Sequence, residues 1–177
     1  MVGDQQFPDT LITYYLEMTS PTEFVPGYVE RGDVEIIRMS RPDVEFYRFL
    51  YTQVGGVWRW RDRLIISEDE LRQAISQPEI SIFVLYVGGV PAGYVELAQQ
   101  GESTEIAYFG LRPAFMGMGL GKHLLSFGIE QAWKQGTKRV YVHTCNLDAP
   151  QALENYQKRG MRVYKTEEQP MPQRYTV

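Results

Sequence analysis

Three glycines at alternate positions, Gly117, Gly119 and Gly121, constrain this chain more than any other feature of its sequence. They follow an apolar stretch typical of a strand and lead without a break into a Leu-rich segment with helical periodicity. The first N–H groups of a helix have no partner within the helix, and glycine lets a ligand approach them closely. The glycine run therefore indicates a site for an anionic group such as a phosphate.

Two common phosphate-binding motifs do not fit this run of glycines. The P-loop needs a glycine at the position of Met116 and a hydroxyl at the position of His123. The dinucleotide-binding fingerprint needs a glycine at the position of Lys122, and it normally follows the first strand of a parallel βαβ unit. A third motif, the pyrophosphate loop of coenzyme A-dependent transferases, fits both the spacing and the place in the chain.

The charge balance and the few cysteine and histidine residues exclude several classes of function. The 177 residues carry a net charge of −4, and no block of like charges favours nucleic acid as a partner. A single cysteine, Cys145, excludes a disulfide framework, and the two histidines form no cluster with metal-ligand spacing. We therefore expect no metal cofactor, and small molecules or proteins as partners.

The N-terminus and the apolar runs predict where the protein resides. The start, MVGDQQFPDT, has neither the basic region nor the apolar core of a secretory signal. The longest apolar runs, such as IFVLYV, are too short to cross a bilayer. We expect a soluble, cytoplasmic protein with no membrane partner.

Hydrophobic periodicity predicts an α+β (mixed α/β) fold in a single domain over residues 1–177. Between residues 34 and 166 the order is a strand, two helices, an antiparallel meander of three strands, a helix, a strand, a helix and a strand. This order predicts a central mixed, mostly antiparallel sheet with helices on both faces. Residues 1–33 are interpreted as an N-terminal strand and loop extension, and residues 167–177 as a tail that is either a last strand or disordered.

Short signals locate the ends of several elements. Capping-type spacings predict three helix starts, at Ser40–Asp43, Ser67–Glu70 and Asp148–Gln151. The pair Gly88–Gly89 lies between two apolar runs, which predicts a hairpin with a tight primed turn. These predictions can be compared with the structure one by one.

Two motifs resemble those of the GNAT superfamily of N-acetyltransferases. The first is LRPAFMGMGLGKHLL, in which the three glycines stand in register and Met116 takes the place of the usual Gln or Arg. The second is ALENYQKRGM, which contains Tyr156 and a glycine four residues later. Both motifs and the order of elements agree with the family over about residues 34–166.

The resemblance implies a GNAT-like fold, acetyl-CoA as co-substrate and an amine as acceptor. The positions that match the family's cofactor-binding residues are Phe109, Gly110, Leu111, Met116, Gly117, Met118, Gly119, Leu120, Gly121, Lys122 and Tyr156. Because the loop works mainly through backbone N–H groups, we expect Met116 to weaken a phosphate contact without abolishing the site. Tyr156 matches the family's general acid, which protonates the thiolate leaving group.

Two carboxylates are candidates for the base that takes the proton of the amine. An alkylammonium with a pKa near 10 is only about 0.1% neutral at pH 7, so its proton must be removed directly or through water. Glu105 lies where several family members carry a catalytic glutamate, and strand alternation places it on the face of Phe109 and Leu111. Glu96 on the neighbouring strand is the alternative base. Glu105 is equally compatible with an exposed charge at a strand start.

Two residues near the end of the next strand have open roles. His143 is interpreted as a proton relay or, preferably, as a structural histidine. Cys145 is interpreted as a small packed residue rather than a nucleophile.

The segment GGVWRWRDRL lies where the family often builds its acceptor site. It contains Trp58, Arg59, Trp60, Arg61 and Arg63. One interpretation is recognition of an acidic or aromatic group on the acceptor. A second, slightly preferred, is that the tryptophans pack in the core while the arginines are solvated or paired with acids. Binding of nucleic acid is a third interpretation with little support.

Taken together, these observations predict transfer of an acetyl group from acetyl-CoA to a primary amine of a small molecule or to an amino terminus by direct attack. The alternative is a non-catalytic acyl-CoA-binding or regulatory module of the same fold, which Met116 favours and which Glu105 and Tyr156 oppose. Acylation of a protein side chain is a third hypothesis, and it requires an open groove. The resemblance is also compatible with a homodimer.

Overall fold

Seven strands form one sheet in the order β2-β3-β4-β5-β6-β1-β7. The computed structural model describes residues 7–176. The strands are β1 Thr10–Met18, β2 Val34–Arg38, β3 Ile80–Val87, β4 Val90–Gln100, β5 Ser103–Leu111, β6 Arg139–Cys145 and β7 Arg162–Pro170. The α-helices are α1 Val44–Gly55, α2 Glu68–Ile75, α3 Leu120–Lys134 and α4 Ala152–Lys158.

The helices cover both faces of the sheet. Leu120, Leu124 and Ile129 of α3 belong to one hydrophobic core, on one face. Tyr47 and Leu50 of α1 belong to a second core, on the other face. All neighbouring strands are antiparallel except β5 and β6. The predicted α+β fold with a mixed, mostly antiparallel sheet and helices on both faces is confirmed.

The single parallel pair, β5 and β6, is joined over a short length. Only Ser103–Glu105 and Arg139–Tyr141 are in register. The remaining residues of both strands have no partner in each other, so the sheet opens between their carboxyl ends. Because β5 leads directly into the glycine loop and α3, this opening lies beside the start of α3. Carboxyl ends of parallel strands are frequent places for ligands in α/β sheets.

The N-terminal segment belongs to the sheet, since β1 lies between β6 and β7. Leu16 of β1 is fully buried in the core beneath α3. The loop after β1 follows α3: the Gly27 N–H donates to Ser126 Oγ at 2.8 Å and the Val29 N–H donates to His123 Nδ1 at 3.1 Å. Periodicity gave no indication of these contacts, because they join residues about a hundred positions apart.

Several local predictions are confirmed in detail. The Glu70 N–H donates to Ser67 Oγ at 3.2 Å, and the Ser67 N–H donates to the Glu70 carboxylate at 2.7 Å, which completes the capping box of α2. Gly88 and Gly89 have φ values of 56° and 79°, the left-handed values that a primed hairpin turn requires. Of the two alternatives for the tail, a last strand is correct as far as Pro170.

The predicted start of α1 is wrong by one turn. The helix begins at Val44, and its N-cap is Asp43, whose Oδ1 accepts the Phe46 N–H at 2.7 Å. Ser40 therefore lies outside the helix. A carboxylate is as good an N-cap as a hydroxyl, and here the later of the two capping residues has the extended backbone that a cap needs.

The predicted cap of α4 by Asp148 is also wrong. The helix begins at Ala152 without a side-chain cap. The Asp148 carboxylate instead accepts hydrogen bonds from Thr144 Oγ1 at 2.7 Å, from the Cys145 N–H at 3.1 Å and from Trp60 Nε1 at 3.2 Å. Donors at the end of β6 and on a distant loop satisfy this partly buried carboxylate, so it is not available to a short helix.

Candidate active site

A cavity of about 340 Å³ lies where β5 and β6 separate. Residues from both faces of the sheet line it, so the cavity passes between the two strands. We call the part lined by Met116, Gly121, Gln151, Ala152, Asn155 and Tyr156 the α3 side. We call the part lined by Tyr51, Trp58, Trp60, Asp62, Tyr108, His143, Arg174 and Tyr175 the α1 side.

The glycine loop lies at the start of α3, beside the α3 side of the cavity. Gly117 and Gly119 have φ values of 77° and 75°, a conformation that glycine adopts without strain. Gly119 is the N-cap of α3, and no side chain is bonded to the free N–H groups of the first turn. That turn contains no acidic residue, so the positive end of the helix dipole is not neutralised. These N–H groups are available to an anion such as a pyrophosphate.

The other predicted cofactor-binding residues surround this loop in different ways. Those that line the cavity are Phe109, Gly110, Leu111, Met116, Gly121 and Tyr156. The Leu120 side chain is fully buried in the core, whereas Met118 is exposed. Lys122 Cε lies 3.4 Å from the position that a Cβ on Gly119 would take, which places this positive side chain beside the loop.

Tyr156 is buried against the cavity wall. Its ring packs edge to face on Phe109, with the centroids 6.0 Å apart. Burial raises the pKa of Tyr156 well above its usual value, and the nearby Asp148 carboxylate adds to the increase. The phenol therefore keeps its proton at neutral pH and can donate it in a hydrogen bond to a group in the cavity.

A β-bulge at Ala107 interrupts the pairing of β5 with β4. Ile106 pairs with Leu97 and Tyr108 pairs with Glu96, which leaves Ala107 without a partner residue. A bulge of this kind adds one residue to one strand and exchanges the faces of the residues beyond it.

Because of this bulge, the prediction that Glu105 shares a face with Phe109 and Leu111 is wrong. Ile106, Phe109 and Leu111 all pack in the core beneath α3, so the adjacent Glu105 points to the opposite face. There its Oε1 lies 3.4 Å from Nδ1 of His143. Glu105 itself does not line the cavity, but the imidazole that it contacts does.

The contact with Glu105 has a direct effect on His143. Hydrogen bonding to the Glu105 carboxylate raises the pKa of His143, although burial acts in the opposite direction. A carboxylate beside Nδ1 favours the tautomer that carries its proton on Nδ1, which leaves Nε2 free to accept one. The pair therefore has the arrangement of a base and the group that orients it.

Glu96, the second candidate carboxylate, is engaged elsewhere. It is fully buried, the Tyr47 hydroxyl donates to its Oε2, and Arg63 Nη2 donates to its Oε1 at 2.9 Å. Burial raises the pKa of Glu96, and the Arg63 guanidinium partly offsets this increase. With both oxygens occupied and no surface in the cavity, Glu96 holds Arg63 in place.

The segment GGVWRWRDRL, residues 55–64, which we call the Trp/Arg segment, alternates between two environments. Trp58, Trp60 and Asp62 line the cavity, whereas Arg59, Arg61 and Arg63 do not. Arg59 Nη1 donates to the Tyr175 carbonyl at 2.9 Å, and Arg61 Nη1 donates to the Trp60 carbonyl at 3.3 Å. The expectation that these arginines bind an acidic group of the acceptor therefore finds no support in their geometry. They hold the segment, and the residues between them face the cavity.

The cavity holds no activated thiol. Burial raises the pKa of Cys145 to about 11, so its thiol stays protonated at neutral pH and is a poor nucleophile. Among residues 7–176, no group of three or more His, Cys, Asp or Glu side chains is arranged to hold a metal ion. No helix within the same residues is long and apolar enough to cross a membrane.

Sequence reasoning did not connect Glu105 with His143, and it did not include Tyr108, Arg174 or Tyr175 in the site. The link between the first two follows once the pairing of β5 and β6 is known. The residue opposite Glu105 is Tyr141, so His143, two positions further along β6, lies on the same face. No short motif in the sequence reports this pairing.

Comparison with known proteins shows the family. The sequence profile of the acetyltransferase (GNAT) family matches residues 44–161 of this chain. The chain therefore belongs to the GNAT acetyltransferase family, whose members generally use acetyl-CoA. Comparison with curated protein sequences finds no match.

Solved structures of similar fold include two described as GCN5-related N-acetyltransferases. The protein from Sphaerobacter thermophilus has a TM-score of 0.68 at 14% identity, over 92% of this chain and 52% of its own. The protein from Kribbella flavida has a TM-score of 0.63 at 17% identity, over 88% of this chain and 55% of its own. This chain thus spans about half the length of each. An aminoglycoside acetyltransferase from an uncultured soil metagenomic sample has a TM-score of 0.60 at 18% identity, over 72% of this chain and 87% of its own.

Proposed function

We propose that this chain transfers an acetyl group from acetyl-CoA to the primary amine of a small molecule or to an amino terminus. The observation that carries the proposal is the cavity between β5 and β6. It joins the glycine loop on the α3 side to the Glu105–His143 pair on the α1 side. A thioester that enters from the loop and an amine that enters from the opposite face meet between the strands.

Residues of the α3 side suit the binding of coenzyme A. The free N–H groups at the start of α3 hold the pyrophosphate, and Lys122 adds positive charge beside the loop. The main chain of residues 109–111 is paired with β4 on one edge only, because β6 has separated from the other edge. The N–H and C=O groups on the unpaired edge of this main chain bind the pantetheine amides and polarise the thioester carbonyl. Acetyl-CoA itself supplies the activated acyl group.

Three of the chain's side chains then move or position protons. His143 Nε2 takes the proton of the attacking nitrogen, directly or through water, while the new C–N bond forms. Glu105 keeps the imidazole in the tautomer that can accept this proton and stabilises the imidazolium that results. As the C–S bond breaks, the Tyr156 hydroxyl donates its proton to the sulfur. The products are an acetylated amine and the free thiol of coenzyme A.

A non-catalytic acyl-CoA-binding module of the same fold is the second candidate function. Met116 favours it, because a thioether replaces the polar side chain that the family usually carries at this position of the loop. The two candidates differ in turnover and share the binding of acetyl-CoA.

Release of coenzyme A tests the proposal. The protein is incubated with acetyl-CoA and a panel of amines in the presence of a thiol reagent, and acetyl-CoA binding is measured by calorimetry. We expect thiol release that depends on an amine. Binding without release for any amine would favour the non-catalytic module, and absence of both would reject the cofactor assignment as well.

Replacement of Tyr156 by Phe tests the general acid. We expect turnover to fall by about a hundredfold, because the thiolate loses its proton donor, while the affinity for acetyl-CoA changes by less than about twofold. Steady-state kinetics and calorimetry measure the two quantities. Unchanged turnover would remove Tyr156 from the mechanism.

A further inference from the structure

We infer that the acceptor is a compact monoamine on a flat apolar body, bound on the α1 side with its body against aromatic rings and its ammonium toward Asp62. This inference rests on the proposed function, since it names the class of amine that the same site accepts.

The walls of the α1 side are ring faces and edges. The Trp60 ring centroid lies 5.4 Å from that of Tyr51 and 5.5 Å from that of Tyr108. Trp60 is also fixed in orientation: its Nε1 donates to Asp148, and its ring fills the space where a Cβ on Gly55 would lie, 2.2 Å away. Rigid aromatic walls of this kind favour a flat apolar guest and also attract a cation over a ring face.

The charges at the cavity favour one ammonium group and not several. Two carboxylates line the cavity among the described residues, Asp62 and Asp148. Asp148 already accepts hydrogen bonds from three donors, at 2.7, 3.1 and 3.2 Å. Asp62 is half-exposed, and its Oδ1 lies 3.3 Å from Nε of Arg174. An exposed pair of this kind contributes little, so an incoming ammonium can take the place of Arg174.

The side chain of Arg174 shows how the α1 side can hold a cation. Its guanidinium lies 4.6 Å from the centroid of the Tyr175 ring and is paired with Asp62. One carboxylate and one aromatic ring are the groups that an alkylammonium needs. A second ammonium on the same guest would find no second free carboxylate among the described lining residues.

The C-terminal turn forms part of the wall of the α1 side. Arg59 Nη1 donates to the Tyr175 carbonyl, which ties the C-terminal turn Gln173–Tyr175 to the Trp/Arg segment. Both segments line the cavity. An extended polypeptide acceptor needs an open groove. In the proposed function the cavity of about 340 Å³ also receives the end of the pantetheine arm, so it favours a small acceptor.

Four amines that differ in size, shape and number of ammonium groups test the inference. We compare 2-phenylethylamine, n-butylamine, the aminoglycoside sisomicin and an alanine tripeptide with a free amino terminus, each with acetyl-CoA and the wild-type protein. We expect kcat/KM for 2-phenylethylamine to exceed that of each of the others by at least about tenfold. An equal or higher value for sisomicin or for the tripeptide would overturn the inference.

Two variants separate recognition of the flat body from recognition of the ammonium. Trp58→Leu should raise KM about fivefold for 2-phenylethylamine and leave that of n-butylamine within twofold, because only the former has a ring to contact. Asp62→Asn should raise KM for both amines by a similar factor. Asp69→Asn on α2 is the matched control for loss of an exposed carboxylate and should change neither. Equal effects of Trp58→Leu on the two amines would contradict the assignment of the flat body.

A binding measurement keeps this inference distinct from the proposed function. Titration of the protein with 2-phenylethylamine, followed by tryptophan fluorescence, reports occupancy of the α1 side without turnover. Binding that Trp58→Leu weakens, with no acetyl transfer, would reject the proposed function and leave the pocket assignment intact. Turnover of another amine with no binding of 2-phenylethylamine would reject this inference and leave the proposed function intact.

Discussion

The two sides of the cavity are built in different ways. The α3 side comes from two short stretches, residues 109–122 and 151–156, and its glycine loop offers backbone groups. The α1 side gathers side chains from α1, β5, β6, the Trp/Arg segment and the C-terminal turn. A site made of consecutive backbone groups is visible in a short motif. A site made of side chains from distant segments is visible only after the segments are paired.

Two carboxylates on adjacent strands show the same difference at the scale of single residues. Glu96 and Glu105 are both glutamates on β4 and β5, and both were candidates for the base. Glu96 is sealed against Tyr47 and Arg63, whereas Glu105 contacts the imidazole of His143. The two side chains are chemically identical. Their surroundings alone make Glu96 an anchor for Arg63 and Glu105 a group that positions His143.

The largest expected effect comes from breaking the ion pair of Arg63 with the buried Glu96. Arg63→Met leaves the buried Glu96 carboxylate without its cation, and we expect the free energy of unfolding to fall by about 3–5 kcal/mol. Denaturant unfolding measures this loss. Adding Glu96→Leu to the variant should restore most of the stability, because the unpaired charge is then absent. A loss below about 1 kcal/mol would show that Glu96 is held mainly by other groups.

The next largest effect distinguishes the role of Glu105, which positions the imidazole, from that of His143, the base. Only neutral imidazole accepts a proton, so we expect kcat/KM to rise with pH through a value above 6.5, since Glu105 raises the pKa of His143. In Glu105→Gln that rise should move to lower pH, and the limiting rate should fall about tenfold because the ring is no longer oriented. Rates between pH 5.5 and 8.5 measure both changes. Glu102→Gln, an exposed carboxylate paired with Lys138, is the control and should leave the profile in place.

The Glu105–His143 contact also predicts how the stability of the fold changes with pH. Because the pKa of His143 is raised in the folded state, its contact with Glu105 stabilises the fold below about pH 6.5, and this contribution is lost as the pH rises through the folded-state value. Glu105→Gln should remove this dependence. An unchanged profile of both rate and stability would separate Glu105 from His143 in solution.

A smaller effect tests the α3 side with a matched pair of glycines. Gly117 and Gly136 have φ values of 77° and 83°, and neither has an atom within 4 Å of the position of an added Cβ. Alanine at either position should cost about 1 kcal/mol of stability. Only Gly117→Ala should weaken acetyl-CoA binding, by about fivefold, because its methyl group obstructs the approach of the pyrophosphate. Equal affinities of the two variants in calorimetry would argue against the loop as the phosphate site.

The smallest expected effect concerns Met116, the position at which the loop differs from the usual family sequence. Met116→Gln restores an amide beside the loop, and we expect acetyl-CoA to bind about threefold more tightly, with no change in the KM of the amine. Calorimetry and steady-state kinetics measure the two quantities. A change in the amine KM without a change in cofactor affinity would show that Met116 acts on the α1 side.

How much of the structure was predictable depended on the range of the contacts. The capping box at Ser67, the turn at Gly88–Gly89 and the order of elements after residue 34 depend on neighbours a few positions apart, and these predictions were correct. The cap assigned to Asp148 and the face assigned to Glu105 were wrong, because a distant tryptophan and a bulge decided them. Both errors concern residues that line or support the α1 side.

The sequence by itself determined the fold class and the glycine loop, because the conformational freedom of glycine and the free N–H groups of a helix start are properties of consecutive residues. Only the tertiary structure decided which group can act as a base. Glu105 shares a face with His143 because it pairs with Tyr141 on β6, and the extra residue at Ala107 turns Phe109 and Leu111 to the opposite face. The opening between β5 and β6 exposes the imidazole of His143 to the cavity. Strand register is set by contacts across the whole sheet, so no local pattern in the sequence reports it.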